Sequence, residues 1–83
     1  MDKRRLLRRI SAGQFNNVRY KDLVTLIEAL GFQYYRTRGS HQIFKHVKTS
    51  AEINLQPDGG QAKPWQVKLL VHEIEKYGLR LEE

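Results

Sequence analysis

The stretch DLVTLIEALGFQYYRTRGSHQIFKH, residues 22–46, changes its hydrophobic period part-way along, and that change decides the fold. Leu23, Ile27 and Leu30 fall at i, i+4 and i+7, with Val24 and Leu26 widening the stripe, so Tyr20 to Leu30 reads as an amphipathic helix. Gly31 follows the last apolar position, where a left-handed stop costs glycine little. Phe32 to Thr37 is rich in aromatic and β-favouring residues and reads as a strand. RGS makes a turn, and His41 to His46 a second strand. By period two, His41, Ile43 and Lys45 share one face while Gln42, Phe44 and His46 share the other.

Downstream, KTS is a further turn and Glu52 to Gln56 a third strand, with Ile53 and Leu55 on one face and Glu52 and Asn54 on the other. PDGGQAK (57–63) reads as the longest loop. Pro64 suits the first turn of a helix; Val67, Leu70, Val71 and Ile74 then repeat at helical spacing, and Gly78 ends it. Upstream, DKRRLLRRISAG (2–13) carries Leu6, Leu7 and Ile10 on one side of a helix punctuated by Asp2 and Gly13, and Arg4, Arg5, Arg8 and Arg9 cover the rest. Those arginines are either solvated surface of a packed helix or direct phosphate contacts. GQFNN connects this basic segment to the next helix. Short loops between the strands imply an antiparallel meander. The expected fold is α+β and two-layered, a three-stranded antiparallel sheet with helices on one face plus an N-terminal helix. Residues 1–18 form a basic helical extension and connector, and residues 19–83 the α-β-β-β-α domain.

An 83-residue chain holds one core. It has no cysteine, which excludes disulfides and thiolate metal sites. Fifteen Lys and Arg against nine Asp and Glu leave +6, with a pI near 9.9. That excess favours a polyanionic partner, nucleic acid first and an anionic membrane second. At 40% apolar the chain is too hydrophobic for a disordered basic tail. No apolar run reaches the roughly 20 residues of a membrane span or resembles a secretory leader. A small, soluble, cytoplasmic domain without a membrane partner is expected.

Chemistry-bearing motifs are few. There is no thiol nucleophile, paired acidic motif or phosphate-cradling P-loop. His41 and His46 should point to opposite sheet faces, so no metal site is expected and no cofactor is implied. DGGQAKP places glycines ahead of a helix, but Pro64 removes a donor, leaving ordinary loop flexibility or a phosphate contact through Lys63. Trp65 reads as a packing residue ahead of a base-stacking platform, though its place in the first turn leaves both open. RTRGSHQIF (36–44) is the most suggestive stretch: Gly39 permits a tight turn, Ser40 offers a hydroxyl, and His41 opens the next strand amid Arg36, Arg38 and Lys45. An imidazole titrates near neutrality, and adjacent cations can hold a phosphate and offset developing charge. The same residues also fit an exposed histidine in a basic hairpin.

The stretch DLVTLIEALGFQYYRTRGSHQIFKH resembles the HicA family of toxin–antitoxin systems, in which a helix ending in GF leads to a GSH-x-x-F hairpin. INLQPDGGQAKPWQVKLLVHEIEKYGL resembles that family's third strand, loop and closing helix, so the likeness covers about residues 20 to 79. It implies a small domain similar to a double-stranded-RNA-binding domain. It also implies ribosome-independent mRNA cleavage that arrests growth, held in check by a HicB-type antitoxin protein. The family's catalytic histidine follows the Gly-Ser pair; His41 matches it, and Gly39 and Ser40 match the turn that presents it. Many members carry a second histidine directly after the first, where this sequence has Gln42.

The leading expectation is therefore a metal-independent endoribonuclease, an mRNA interferase. His41 is its general acid or base, acting on the ribose 2′-OH or on a water. Arg36, Arg38, Ser40, Lys45 and Lys63 contact substrate, with Lys68 more distant. Tyr34, Tyr35 and Ser40 are candidates for a second acid–base group. A non-catalytic RNA-binding module is the alternative, and a protein-interaction domain with an acidic partner is a third reading.

Overall fold

Among the described residues, 2–82 of this computed structural model, the elements in chain order are α1 (Lys3–Ser11), α2 (Tyr20–Ala29), β1 (Phe32–Arg38), β2 (His41–His46), β3 (Glu52–Leu55), β4 (Pro57–Asp58), β5 (Gln61–Ala62) and α3 (Pro64–Tyr77). Met1 and Glu83, the ends of the two expected units, lie outside the described residues. The architecture is the expected α+β one: β1, β2 and β3 pair antiparallel in that order.

Cross-strand register explains which sheet face is covered. Phe32 stands opposite His46, Phe44 opposite Ile53, and Leu55 opposite Gln42, so these side chains share one face. Phe32, Phe44, Ile53 and Leu55 are buried there against Leu23, Leu26 and Ile27 of α2 and Val67 and Leu70 of α3. Leu6 and Ile10 of α1 join the same core, packing α1 over α2 and α3. Asp2 caps α1 by accepting from the Arg4 N–H (3.2 Å), and Gly78 ends α3 in the left-handed conformation.

Two features depart from the sequence reading. PDGGQAK is a small β4–β5 hairpin rather than an irregular loop. It is clipped to the connector ahead of α2: the Tyr20 N–H donates to the Gly60 carbonyl (3.0 Å), and the Ala62 N–H to the Val18 carbonyl (2.8 Å). Strict alternation also fails in β1, where Tyr35 is an extra residue between the Tyr34–Phe44 and Arg36–Ile43 pairs.

Gly31 joins α2 to β1 at φ 103°, and a Cβ there would lie 2.6 Å from His46 Nε2. His46 occupies that space for a reason. Its Nε2–H donates to the Leu30 carbonyl (2.8 Å), and its Nδ1 accepts from the Lys48 (3.1 Å) and Thr49 (3.2 Å) N–H groups. This fixes the tautomer. The ring also meets Phe32 edge-on at 5.2 Å.

Candidate nucleic-acid interface and active site

His41 sits at the junction of a two-residue turn and β2, directly opposite Arg38. Gly39, the first turn residue, has φ 62°, as a II′ hairpin turn requires at that position. The His41 ring is half-buried and makes no hydrogen bond to another described residue, leaving both nitrogens available. His46 is instead on the helix-covered face, so the two histidines lie on opposite sides of the sheet as expected. Among the described residues no three His, Asp or Glu side chains gather into a cluster.

The bulge sets the company His41 keeps. In a bulge the two residues opposite one partner both lie toward that partner's face. Tyr35 and Arg36 thus share the outward face with Ile43, as do Arg38 with His41 and Lys45 with Gln33. Lys45 Nζ stands 3.9 Å above the Tyr35 ring and the Arg36 guanidinium 5.5 Å from it, both cation–π contacts. Ile43, buried but outside the main core, lies on this same face. The outward face of β1 and β2 therefore carries one imidazole, three cations and an aromatic ring.

Ser40 and Lys63 are brought together by a residue that sequence reasoning missed. Gln56 Nε2 donates to Ser40 Oγ (3.0 Å), and Lys63 Nζ donates to Gln56 Oε1 (3.2 Å). Gln56 is itself held by its N–H, which donates to Oε1 of the buried Gln66 on α3 (3.0 Å). Nothing in the spacing of these glutamines marks them in sequence. Gln42 is also engaged on the covered face, accepting a hydrogen bond from the Tyr20 hydroxyl (2.5 Å). Burial pushes the Tyr20 phenol up from its ordinary value.

Other candidates separate from the site. Lys68 lines a different groove, with His72 and Phe15 beside α1. The Tyr34 hydroxyl is engaged with Thr37 Oγ1 (2.6 Å) and its ring packs edge-on against Phe44, away from the His41 face. Trp65 is not a packing residue: it is 55% exposed and walls a groove shared with His41, Leu69 and Glu73.

Residues 20–79 match the family model of the HicA toxin of bacterial toxin–antitoxin systems. The chain belongs to the HicA toxin family. No curated protein and no solved structure matches the chain. As a HicA-family toxin it is one half of a toxin–antitoxin pair, with an antitoxin as partner. The HicA match begins at the first residue of α2 and ends just past α3, so α1 falls outside the matched segment while contributing to the same core. No helix among the described residues is long and apolar enough to cross a membrane.

Proposed function

We propose that this HicA-family toxin is an endoribonuclease that cleaves mRNA with His41 as general acid or base, requires no metal, and is neutralised by a HicB-type antitoxin. The reading is carried by one observation: His41, its ring without a hydrogen bond to another described residue, shares a sheet face with Arg36, Arg38 and Lys45. The cations hold the backbone on either side of the scissile phosphate and offset the charge that builds on it. Ser40 and Lys63, joined through Gln56, extend these contacts past the turn. His41 takes the proton of the attacking 2′-OH or water as its oxygen bonds to phosphorus, the P–O5′ bond breaks, and the departing 5′-oxygen takes a proton from solvent water. One such group accounts for roughly 10²–10⁴-fold in rate, which suits a protein that acts by depleting messages. A HicB-type antitoxin would inhibit by covering this face.

The test is RNA cleavage by purified protein in EDTA, with His41→Ala beside the wild type and a circular-dichroism melt of each. Cleavage by the wild type and none by a folded variant is the expected result. Binding without products from the wild type would make the chain a non-catalytic RNA-binding module, and full cleavage by the variant would remove His41 from the mechanism.

A further inference from the structure

Trp65, the second residue of α3, has 55% of its surface exposed, and Leu69, one turn on, is 49% exposed. Glu73 continues the line at i+8. With Ile53 and Asn54 of β3 these side chains wall a groove of about 230 Å³ that His41 also lines. That volume is below the roughly 300–1,000 Å³ typical of sites for drug-sized ligands, and it fits one planar ring rather than a duplex. One oxygen of Glu73, Oε2, is buried with no hydrogen-bond partner among the described residues. A carboxylate oxygen so placed is disfavoured unless something supplies a donor, and a donor in the groove reaches it when the carboxylate turns toward the groove.

We infer that this groove is a subsite for one unpaired RNA base, which stacks on Trp65 and donates to Glu73. The charges at the groove point to the occupant. Glu73 on α3 repels phosphate, Arg38 opposite His41 attracts it, and Glu52 at the groove stands directly across from Lys45 in the β2–β3 ladder. A chain that is apolar and donor-bearing at its bases and anionic along its backbone matches both surfaces at once, with His41 between them. Base stacking on an exposed aromatic needs an unstacked base, so the substrate here is single-stranded. A carboxylate only accepts. Guanine offers it adjacent N1–H and N2–H donors and adenine or cytosine one amino group, whereas the uracil N3–H lies between two carbonyl oxygens. The subsite therefore favours guanine and disfavours uracil.

This deepens the nuclease reading and rests on it for the identity of the partner, yet it can be read without turnover, because Trp65 is the sole tryptophan. The experiment titrates the full chain with 2′-O-methyl tetranucleotides that carry G, A, C or U at one position, and with the same sequences as duplex, following Trp65 emission. Single strands quench the emission and duplexes do not, with G bound about tenfold or more tighter than U. Followed by fluorescence anisotropy of labelled strands, Trp65→Ala weakens binding by about five- to hundredfold, Trp65→Phe restores most of it, and Glu73→Gln narrows the gap between G and U. Equal quenching by duplex, no response to any strand, or a response to the antitoxin alone overturns the subsite. A chain that cleaves RNA while Trp65 stays silent loses only the subsite; one whose Trp65 responds but which never cleaves loses only the nuclease reading.

Discussion

Arg38 lies directly opposite His41 across a two-residue turn, and it does so because β1 contains one residue more than its partner strand requires. Were Tyr35 paired with Ile43 in a regular ladder, Arg36 would fall opposite Gln42 and turn toward the helices. The bulge instead keeps Phe32 in the core while directing Arg36 and Arg38 to the open face. The cationic surface beside His41 thus follows from a single backbone irregularity.

If Arg38 and Lys45 each neutralise a phosphate, removing them alters binding in a diagnostic way. The double substitution Arg38→Ala, Lys45→Ala should reduce the slope of log K against log salt by about 1.4, at about 0.7 for each phosphate left without its cation on a single strand. Both side chains are exposed, so the melting temperature should hold. An unchanged slope would place RNA elsewhere on the molecule.

The two strand histidines should separate function from stability. His46→Ala leaves the Leu30 carbonyl and two N–H groups without their partner and opens space beside Gly31 and Phe32. It should cost about 2–4 kcal/mol in urea unfolding. His41→Ala should stay within about 0.5 kcal/mol of the wild type. Equal losses at both positions would contradict these roles.

Gly31→Ala combines a left-handed φ with a Cβ that would sit 2.6 Å from the His46 ring. A loss of roughly 2–3 kcal/mol is expected, or a melting temperature lower by roughly 8–20 °C in a domain of this size. Gly39→Ala meets only the φ penalty, since nothing lies within 4 Å of its Cβ; about 1–2 kcal/mol follows. A thermal melt of the pair distinguishes clash from backbone strain, and equal losses would argue against the clash.

How far the sequence can be read depends on the interaction involved. Leu23, Ile27 and Leu30 repeat locally, so α2 is visible in it, and Gly39-Ser40-His41 lie in one turn, so the hairpin is too. The Tyr35 bulge is not, because an extra residue on one strand is defined only against its partner. Gln56 bonding to Ser40, Lys63 and Gln66 is equally invisible, since glutamine has no positional signature and its partners lie 7 to 16 residues away. PDGGQAK reads as loop because its two short strands are secured by Val18 and Tyr20, from the far side of α2. The exposure of Trp65 has one sequence signal, its place in a proline-led first turn, whose side chains often face solvent.

Tyr20 offers a pH test. Burial raises its phenol above the ordinary value of 10.0, so the folded chain holds this proton more tightly than the unfolded chain does. That contribution to stability is complete below the unfolded value near 10 and is lost as pH rises through the folded one. Tyr20→Phe removes the bond to Gln42 and should cost about 0.5–1.5 kcal/mol at pH 8. The variant's disadvantage should then shrink above pH 10. A constant gap between the two chains across pH 8–11 would exclude Tyr20 from the alkaline transition.

The turn that presents His41 is moored at both levels of its surroundings: Ser40 to Gln56, and Gln56 to a buried residue of α3. These bonds tie the turn to the body of the fold. On the proposed nuclease reading, the ordering entropy of this turn is lost once, during folding, and not again at each encounter with RNA. Inhibition then falls to an outside body that blocks the way in rather than to a disordered loop that has yet to set.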